Sequence, residues 1–318
     1  MISVAMCTFN GEKYIKEQIE SIINQGLVPD EIVICDDCSK DNTVNIIKET
    51  LDNWSGRVNL VVNEKNLGYR KNFEKAISLC NGDIIFLSDQ DDVWNRNKIE
   101  IMLSALNNSS DAILAFHDVE IVDENLDLIK KSFWKLLKFD YQKFLKKDFK
   151  RIFESNVIQG SACAFRKELF NSAMPFPETA VHDEWLGLVS FVKGKIIPVN
   201  ESLAKYRQSG SNAIGAETIG LLGKIKRLII DLHSQNIKFT SELERRKNVL
   251  NCFYKRFRKD ILIISTEYDK YLDFYTLRFN YIQNKKILSL ICLNYFKIYD
   301  TRTYALRRML RDIIASIF

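Results

Sequence analysis

The sequence predicts an α/β fold, a mostly parallel sheet flanked by helices, followed by a C-terminal helical extension. Three observations carry this. Through residue 110, short apolar runs of strand character alternate with segments of helical period, and such alternation implies right-handed crossovers between parallel strands. The runs end in polar loops, Thr8-Phe9-Asn10-Gly11, Asp36-Asp37-Cys38-Ser39 and Ser88 to Asp92, and in a parallel sheet ligands collect beyond the carboxyl ends of the strands. After Gly210 the period becomes helical, with Leu221, Leu222, Ile225, Leu228, Ile229 and Leu232 on one face.

In order, Ser3 to Phe9 reads as a buried strand, and Glu12 to Ile23 as a helix with Tyr14, Ile15, Ile19, Ile22 and Ile23 at helical spacing. Glu31 to Cys35 is the next strand. Asp41 is the expected N-cap of a helix running through Val44, Ile47 and Leu51. Val58 to Val62 is a third strand, Asn72 to Leu79 a helix, and Asp83 to Leu87 a fourth strand. The stretch 111–212 is less regular. Ala112 to Val122 reads as strand, 133–153 as helix and loop covering the site, and Val157 to Arg166 as a strand entered through a turn. His182 to Phe191 reads as a helix and Lys195 to Val199 as a short strand.

Composition divides the 318 residues in two. Residues 213–318 hold 20 Lys+Arg against 10 Asp+Glu, whereas 1–212 hold 26 against 31, so the net charge of +5 conceals a basic tail. The expected division is therefore 1–212, carrying the site, and 213–318, a basic helical extension. Its apolar face packs on the domain, rests on an anionic membrane surface or pairs in a homodimer. No nucleic-acid partner is expected. The opening Met1-Ile2-Ser3-Val4-Ala5-Met6 has no basic region, so no secretory leader is expected, and no apolar run reaches the roughly 18 residues of a bilayer span. Seven cysteines, mostly within apolar runs, fit reduced thiols. The expected location is cytoplasmic or peripheral on the inner face of the cell membrane.

The densest chemistry is Ser88-Asp89-Gln90-Asp91-Asp92-Val93-Trp94. Three carboxylates within four positions repel one another unless something positive joins them. A divalent cation shared with a diphosphate does this with hard oxygen ligands. The competing reading is a solvated acidic turn. Cys35-Asp-Asp-Cys38 allows a separate thiol–disulfide reading, although the two intervening carboxylates disfavour a thiolate.

Five stretches together resemble the family 2 glycosyltransferases, of GT-A, Rossmann-like fold, most strongly the bacterial rhamnosyltransferase-like members that build cell-surface polysaccharide. They are Thr8-Phe9-Asn10-Gly11; Val33 through Thr43; Asn66-Leu67-Gly68 through Gly82-Asp83; Ser88 through Trp94; and His182-Asp183-Glu184-Trp185. The resemblance covers roughly residues 1–212. It implies an inverting, metal-dependent hexosyltransferase acting on a nucleotide-diphosphate sugar, with a UDP- or dTDP-sugar as donor, dTDP-rhamnose among the candidates. The acceptor would be a growing glycan or lipid-linked hydroxyl. It further implies that Asp36 and Asp37 belong to the nucleotide loop, with Thr8, Asn10 and Glu12 in the same nucleoside pocket and Asp89 on the ribose. Asp91 would ligate Mg2+ or Mn2+, and Asp92 would support that site or face the sugar. Arg70 or Lys71 would neutralise phosphate, against the alternative of plain surface charge. Asp183 is the expected general base, with Glu184 as competitor, because an acceptor hydroxyl must lose its proton as it attacks. The alternative for both acids is a helix N-terminal position favoured by the macrodipole. Trp94 and Trp185 would stack on sugar or base, or be core aromatics. Gly160 would let the backbone approach donor or acceptor, and His182 would orient. One departure stands out: Tyr206-Arg207-Gln208-Ser209-Gly210 carries Ser209 where the family pattern has a His that completes the metal shell. A catalytically degenerate nucleotide-sugar-binding or scaffold protein of the same fold is the alternative function.

Overall fold

The structure, a computed structural model, describes residues 1–146, 150–208 and 232–261. Packing divides the chain into two compact units, Met1–Gly215 and Ala216–Phe318.

The first unit opens with β1 (Ile2–Thr8), α1 (Ile15–Ile23), β2 (Glu31–Asp36), α2 (Thr43–Leu51), β3 (Arg57–Val62), α3 (Tyr69–Leu79) and β4 (Ile84–Ser88). Their pairing is parallel throughout, β1 with β2, β1 with β4 and β2 with β3. Val4, Met6, Ile32, Ile34 and Phe86 bury one face of this sheet against Ile15, Ile19, Ile22 and Ile47 of α1 and α2. Full burial of each such side chain contributes about 1.5–3 kcal/mol. Asp41 does not occupy the cap position itself, which falls on Asn42. Its Oδ1 nevertheless accepts the Thr43 N–H at 3.1 Å, satisfying a donor of the first turn.

The second half is more mixed than the first. It comprises β5 (Val93–Trp94), α4 (Lys98–Asn107), β6 (Ala112–Val122), β7 (Leu128–Lys130), α5 (Phe133–Leu137), α6 (Tyr141–Leu145), α7 (Lys150–Glu154), a 3-10 turn at Gly160–Ala162, β8 (Cys163–Arg166), α8 (Lys167–Ala173), α9 (His182–Lys193) and β9 (Lys195–Arg207). The sheet runs β3-β2-β1-β4-β8-β6-β9-β5, with β7 paired to β6. Strand β8 is antiparallel to both β4 and β6, and β5 is antiparallel to β9. The expected short strand at Lys195 to Val199 extends to Arg207, because its second half pairs with the distal part of β6 and with β5.

In the second unit the described element is α10 (Leu232–Ile261), which deviates from helical geometry at Phe257. Leu243, Val249, Leu250, Phe253 and Phe257 are its buried apolar side chains. Ser209, the apolar positions Leu221 to Ile229, and residues 262–318 lie outside the described residues.

Candidate functional site

The parallel register sets Thr8 beside Asp36 at the carboxyl ends of β1 and β2. Thr8 Oγ1 donates to Asp36 Oδ2 at 2.8 Å. The Ser39 backbone N–H donates to Oδ1 at 2.9 Å, and its hydroxyl to Oδ2 at 2.5 Å. Asp36 is 0% exposed, so these three donors, not water, hold its charge. The two loops interlock further. The Asn10 N–H donates to Ser39 Oγ at 2.8 Å, and Asn10 Oδ1 accepts the Lys40 N–H at 2.8 Å. The Glu12 N–H donates to Asp41 Oδ2 at 3.0 Å, while Glu12 Oε2 accepts the Asn42 N–H at 2.9 Å. Asn10 and Cys38 both have left-handed backbones, φ 49° and 68°, and the Cys38 conformation is the kind glycine adopts without a Cβ penalty. Asp37 faces the chain at 63–68. Its Oδ1 accepts from Asn63 Nδ2 at 2.9 Å and the Leu67 N–H at 2.7 Å, and its Oδ2 accepts the Gly68 N–H at 2.8 Å.

The third loop follows β4, which lies beside β1. Gln90 stitches it to the first loop: the Phe9 N–H donates to Gln90 Oε1 at 2.8 Å, and Gln90 Nε2 donates to the Phe9 carbonyl at 3.1 Å. The three polar loops therefore converge. Asp89 and Asp91 are half-buried and Asp92 is buried. Burial pushes the Asp89 carboxyl well above its usual range, helped by the charges of Asp92, Asp91 and Asp183. Asp91 is pushed up to about 7 by burial and by Asp92. Asp92 is raised by burial too, with the Ser161 hydroxyl, the Arg207 backbone N–H and the Lys98 and Arg207 charges acting in the opposite direction.

Two cations serve this loop. Arg207, at the end of β9, donates from its backbone N–H to Asp92 Oδ1 at 3.2 Å and from Nε to the Asp91 carbonyl at 2.8 Å. Its Nη2 reaches Glu17 Oε2 at 2.5 Å. Lys98 is 0% exposed. Its Nζ donates to the Ser161 carbonyl at 2.5 Å and lies 3.7 Å from the Trp94 ring centroid. Burial pulls its ammonium down to about 7, against the opposing pull of Asp92.

The last part of the site is built by the Gly160–Ala162 turn and the first turn of α9. Asp183 Oδ1 accepts from Asn156 Nδ2 at 2.9 Å and the Glu184 N–H at 2.6 Å, and Oδ2 accepts the Gly160 N–H at 3.0 Å. Glu184 is buried. His182, 5% exposed, stacks on Phe73 at 4.0 Å between centroids. Among the described residues neither of its ring nitrogens has a hydrogen-bond partner, and burial pulls its pKa down to about 3.

The sequence-predicted residues thus fall into two groups. Thr8, Asn10, Glu12, Asp36 and Asp37 knit the first two loops, while Asp89 feels the charges of Asp91, Asp92 and Asp183, and Lys98 those of Asp92 and Asp89. Both tryptophans sit in the core. Trp185 is 0% exposed and its indole N–H donates to the Ala173 carbonyl at 2.8 Å, and Trp94 is buried against Phe86. Neither offers an open ring face to a sugar, so their expected stacking gives way to the core alternative. Arg70 donates to the Glu178 carbonyl at 3.0 Å, and Lys71 pairs with Glu74 at 2.7 Å. Cys35 and Cys38 are free thiols, and burial pushes Cys35 up to about 11, which removes the thiolate that disulfide exchange needs. Among the described residues, no three or more His, Cys, Asp or Glu form a group that could hold a metal ion by themselves.

Gln90, Lys98, Asn156 and Arg207 escaped the sequence reading. Lys98 had a signal: with Ile99, Met102 and Leu106 it shares the buried stripe of α4, and a lysine on an apolar stripe needs a partner.

A family model described as Glycosyl transferase family 2 matches residues 3–173. The chain is 31% identical over 245 residues to the dTDP-rhamnosyl transferase RfbG of Shigella flexneri, covering 70% of this chain and 78% of that protein. It is 28% identical to the UDP-Glc:alpha-D-GlcNAc-diphosphoundecaprenol beta-1,3-glucosyltransferase WfgD of Escherichia coli, covering 67% and 79%. Among solved structures, S. aureus TarS in complex with UDP-GlcNAc superposes with TM-score 0.56 at 18% identity, over 99% of this chain and 90% of TarS. The mannosyltransferase PcManGT of Pyrobaculum calidifontis, in complex with GDP-Man and Mn2+, gives 0.53 at 15% identity, over 99% and 85%.

Proposed function

This chain belongs to glycosyl transferase family 2, and from that premise we propose that it moves a sugar from a pyrimidine nucleoside diphosphate to a hydroxyl of a cell-surface glycan, inverting the anomeric centre. The observation that carries this is the shared carboxylate field. Asp89, which follows β4 and feels the charges of Asp91 and Asp92 in the same loop, lies within electrostatic reach of Asp183 on the facing turn.

Asp36 and Thr8 shape the floor of the nucleoside pocket, Asn10 and Glu12 its rim, and Asp37 fixes the neighbouring chain. Asp89 faces the ribose. Asp91 fits a divalent cation: burial and Asp92 leave its carboxyl short of positive charge, and among the described residues Asp92 Oδ2 is buried without a well-formed hydrogen bond. Mg2+ or Mn2+ held by Asp91, supported by Asp92 and completed by diphosphate oxygens, would neutralise the departing diphosphate. Asp183, its two oxygens oriented by Asn156, Glu184 and Gly160, takes the acceptor proton as the oxygen attacks. Glu184, 2% exposed against 9% for Asp183, is the less suited of the two acids.

The donor reading draws support from RfbG and WfgD, named for dTDP- and UDP-activated sugars, and WfgD is named for a diphosphoundecaprenol-linked acceptor. A lipid-linked acceptor gives the basic segment 213–318 a purpose at an anionic membrane surface. Vesicle co-sedimentation unaffected by salt would remove that part of the reading. Among the described residues, no helix is long and apolar enough to cross a membrane.

The test is calorimetric titration of UDP, dTDP and GDP, each with Mn2+ and with EDTA. Metal-dependent binding of one pyrimidine diphosphate is expected. Preference for GDP would overturn the donor class, and absence of binding to all three would favour the degenerate scaffold.

A further inference from the structure

Lys98 is a buried charge that the proposed reaction leaves unused. It begins α4, at the positive end of that helix's dipole, where a cation is unfavourable. It is 0% exposed, and an ammonium out of water needs compensating partners. A well-packed apolar side chain would serve stability at least as well. Its hydrogen bond goes to a backbone carbonyl, that of Ser161 at 2.5 Å. The Trp94 ring lies 3.7 Å away and keeps the ammonium in place.

The Ser161 carbonyl belongs to the Gly160–Ala162 turn, and the same turn sends the Gly160 N–H to Asp183 Oδ2 at 3.0 Å. The charges of Asp92 and Asp89 act on the same ammonium. Among the described residues Asp92 Oδ2 and Ser161 Oγ make no well-formed hydrogen bond, yet the buried Ser161 hydroxyl lies close enough to favour the charged Asp92 carboxylate. Lys98 therefore holds by hydrogen bond the turn that aims Asp183, with Asp92 and Asp89 within electrostatic reach of the same ammonium.

We propose that Lys98 is a positioning residue for the general base: through the Ser161 carbonyl it fixes the turn whose Gly160 amide orients Asp183, holding that carboxylate in register with the loop at Asp89–Asp92. This rests on the reading of Asp183 as the base. The contact is indirect, so Lys98 acts on the rate of the chemical step rather than on capture of the nucleotide.

The test is a double-mutant cycle on the full chain with Lys98→Met and Asp183→Asn, reading kcat, Mn2+-dependent nucleoside diphosphate affinity and melting temperature. Lys98→Met is expected to lower kcat about tenfold or more, with nucleotide affinity within about threefold of the parent. In the Asp183→Asn background it should cost less than about threefold further, because two groups acting as one unit do not add. Lys98→Gln can still donate one N–H to Ser161 and should retain more kcat than Lys98→Met at a matched melting temperature; it takes the place of Lys98→Met in the cycle if that variant does not fold. A full multiplicative loss on top of an impaired Asp183→Asn would assign Lys98 to the donor side and overturn the proposal while the base reading stands. A rate that only tracks melting temperature across the Lys98 variants would make it a structural strut and also overturn the proposal. Asp183→Asn at parental kcat would remove the base reading, and the proposal with it.

Discussion

Gly160→Ala tests how tightly the turn beneath Asp183 is held. A Cβ at this position would stand 2.6 Å from His182 Nε2. Ordinary contact begins at 3.4 Å, so one partner must retreat by about 0.8 Å to escape the repulsive wall. His182 has little room, being 5% exposed and stacked on Phe73 at 4.0 Å. The turn must therefore move, taking with it the Gly160 N–H that holds Asp183 at 3.0 Å and the Ser161 carbonyl that receives Lys98 at 2.5 Å. Overpacking of this kind costs about 1–3 kcal/mol, and a misplacement near 1 Å can cost about 100-fold in rate. We expect kcat to fall by roughly 10- to 100-fold. The assay is nucleoside diphosphate release at saturating donor and acceptor, with a thermal melt on the same samples. Adding His182→Ala opens the space and should recover part of the rate. Unchanged kcat and melting temperature in Gly160→Ala alone would refute the reasoning, since the turn would then tolerate the displacement.

Asp37→Ala removes a buried acceptor of three hydrogen bonds, from Asn63, Leu67 and Gly68, and should lower unfolding free energy by about 3–5 kcal/mol in urea titrations; a loss below about 1 kcal/mol would contradict that role. Asp91→Asn should erase the difference between Mn2+ and EDTA in nucleoside diphosphate binding, as read by calorimetry. A third prediction concerns pH. The His182 imidazole is held near about 3 when folded and near about 6.5 when unfolded. The unfolded chain thus binds more protons between these values, and stability falls as pH drops through that window. From pH 7.5 to 5.0 the parent should lose about 2 kcal/mol more than His182→Leu; equal losses in denaturant titrations would show that the ring is not held neutral.

Much of this site is legible before any coordinates. Parallel strands deliver their loops to one edge, so the strand–helix alternation through Asp83 to Leu87 was enough to expect the ends of β1, β2 and β4 together. A carboxylate cluster such as Asp89, Asp91 and Asp92 announces a need for positive charge from local sequence alone. Other roles were not legible, because they depend on what a side chain meets across the fold. Trp94 and Trp185 carry the same letters whether they stack on a sugar or fill the core. Only packing against Phe86 and the bond to Ala173 decides.

The sequence by itself determined the α/β class, the convergent polar loops, the carboxylate motif and the family, because these rest on period and on residues near in the chain. The tertiary structure alone decided that β8 runs antiparallel between β4 and β6, bringing the Gly160 turn beside the carboxylate loop. It also decided that Lys98, Arg207 and Asn156 serve that loop and Asp183, from elements far apart in sequence. A buried charge is settled by its partners, and those partners are chosen by strand order and crossing, which no local pattern of residues encodes.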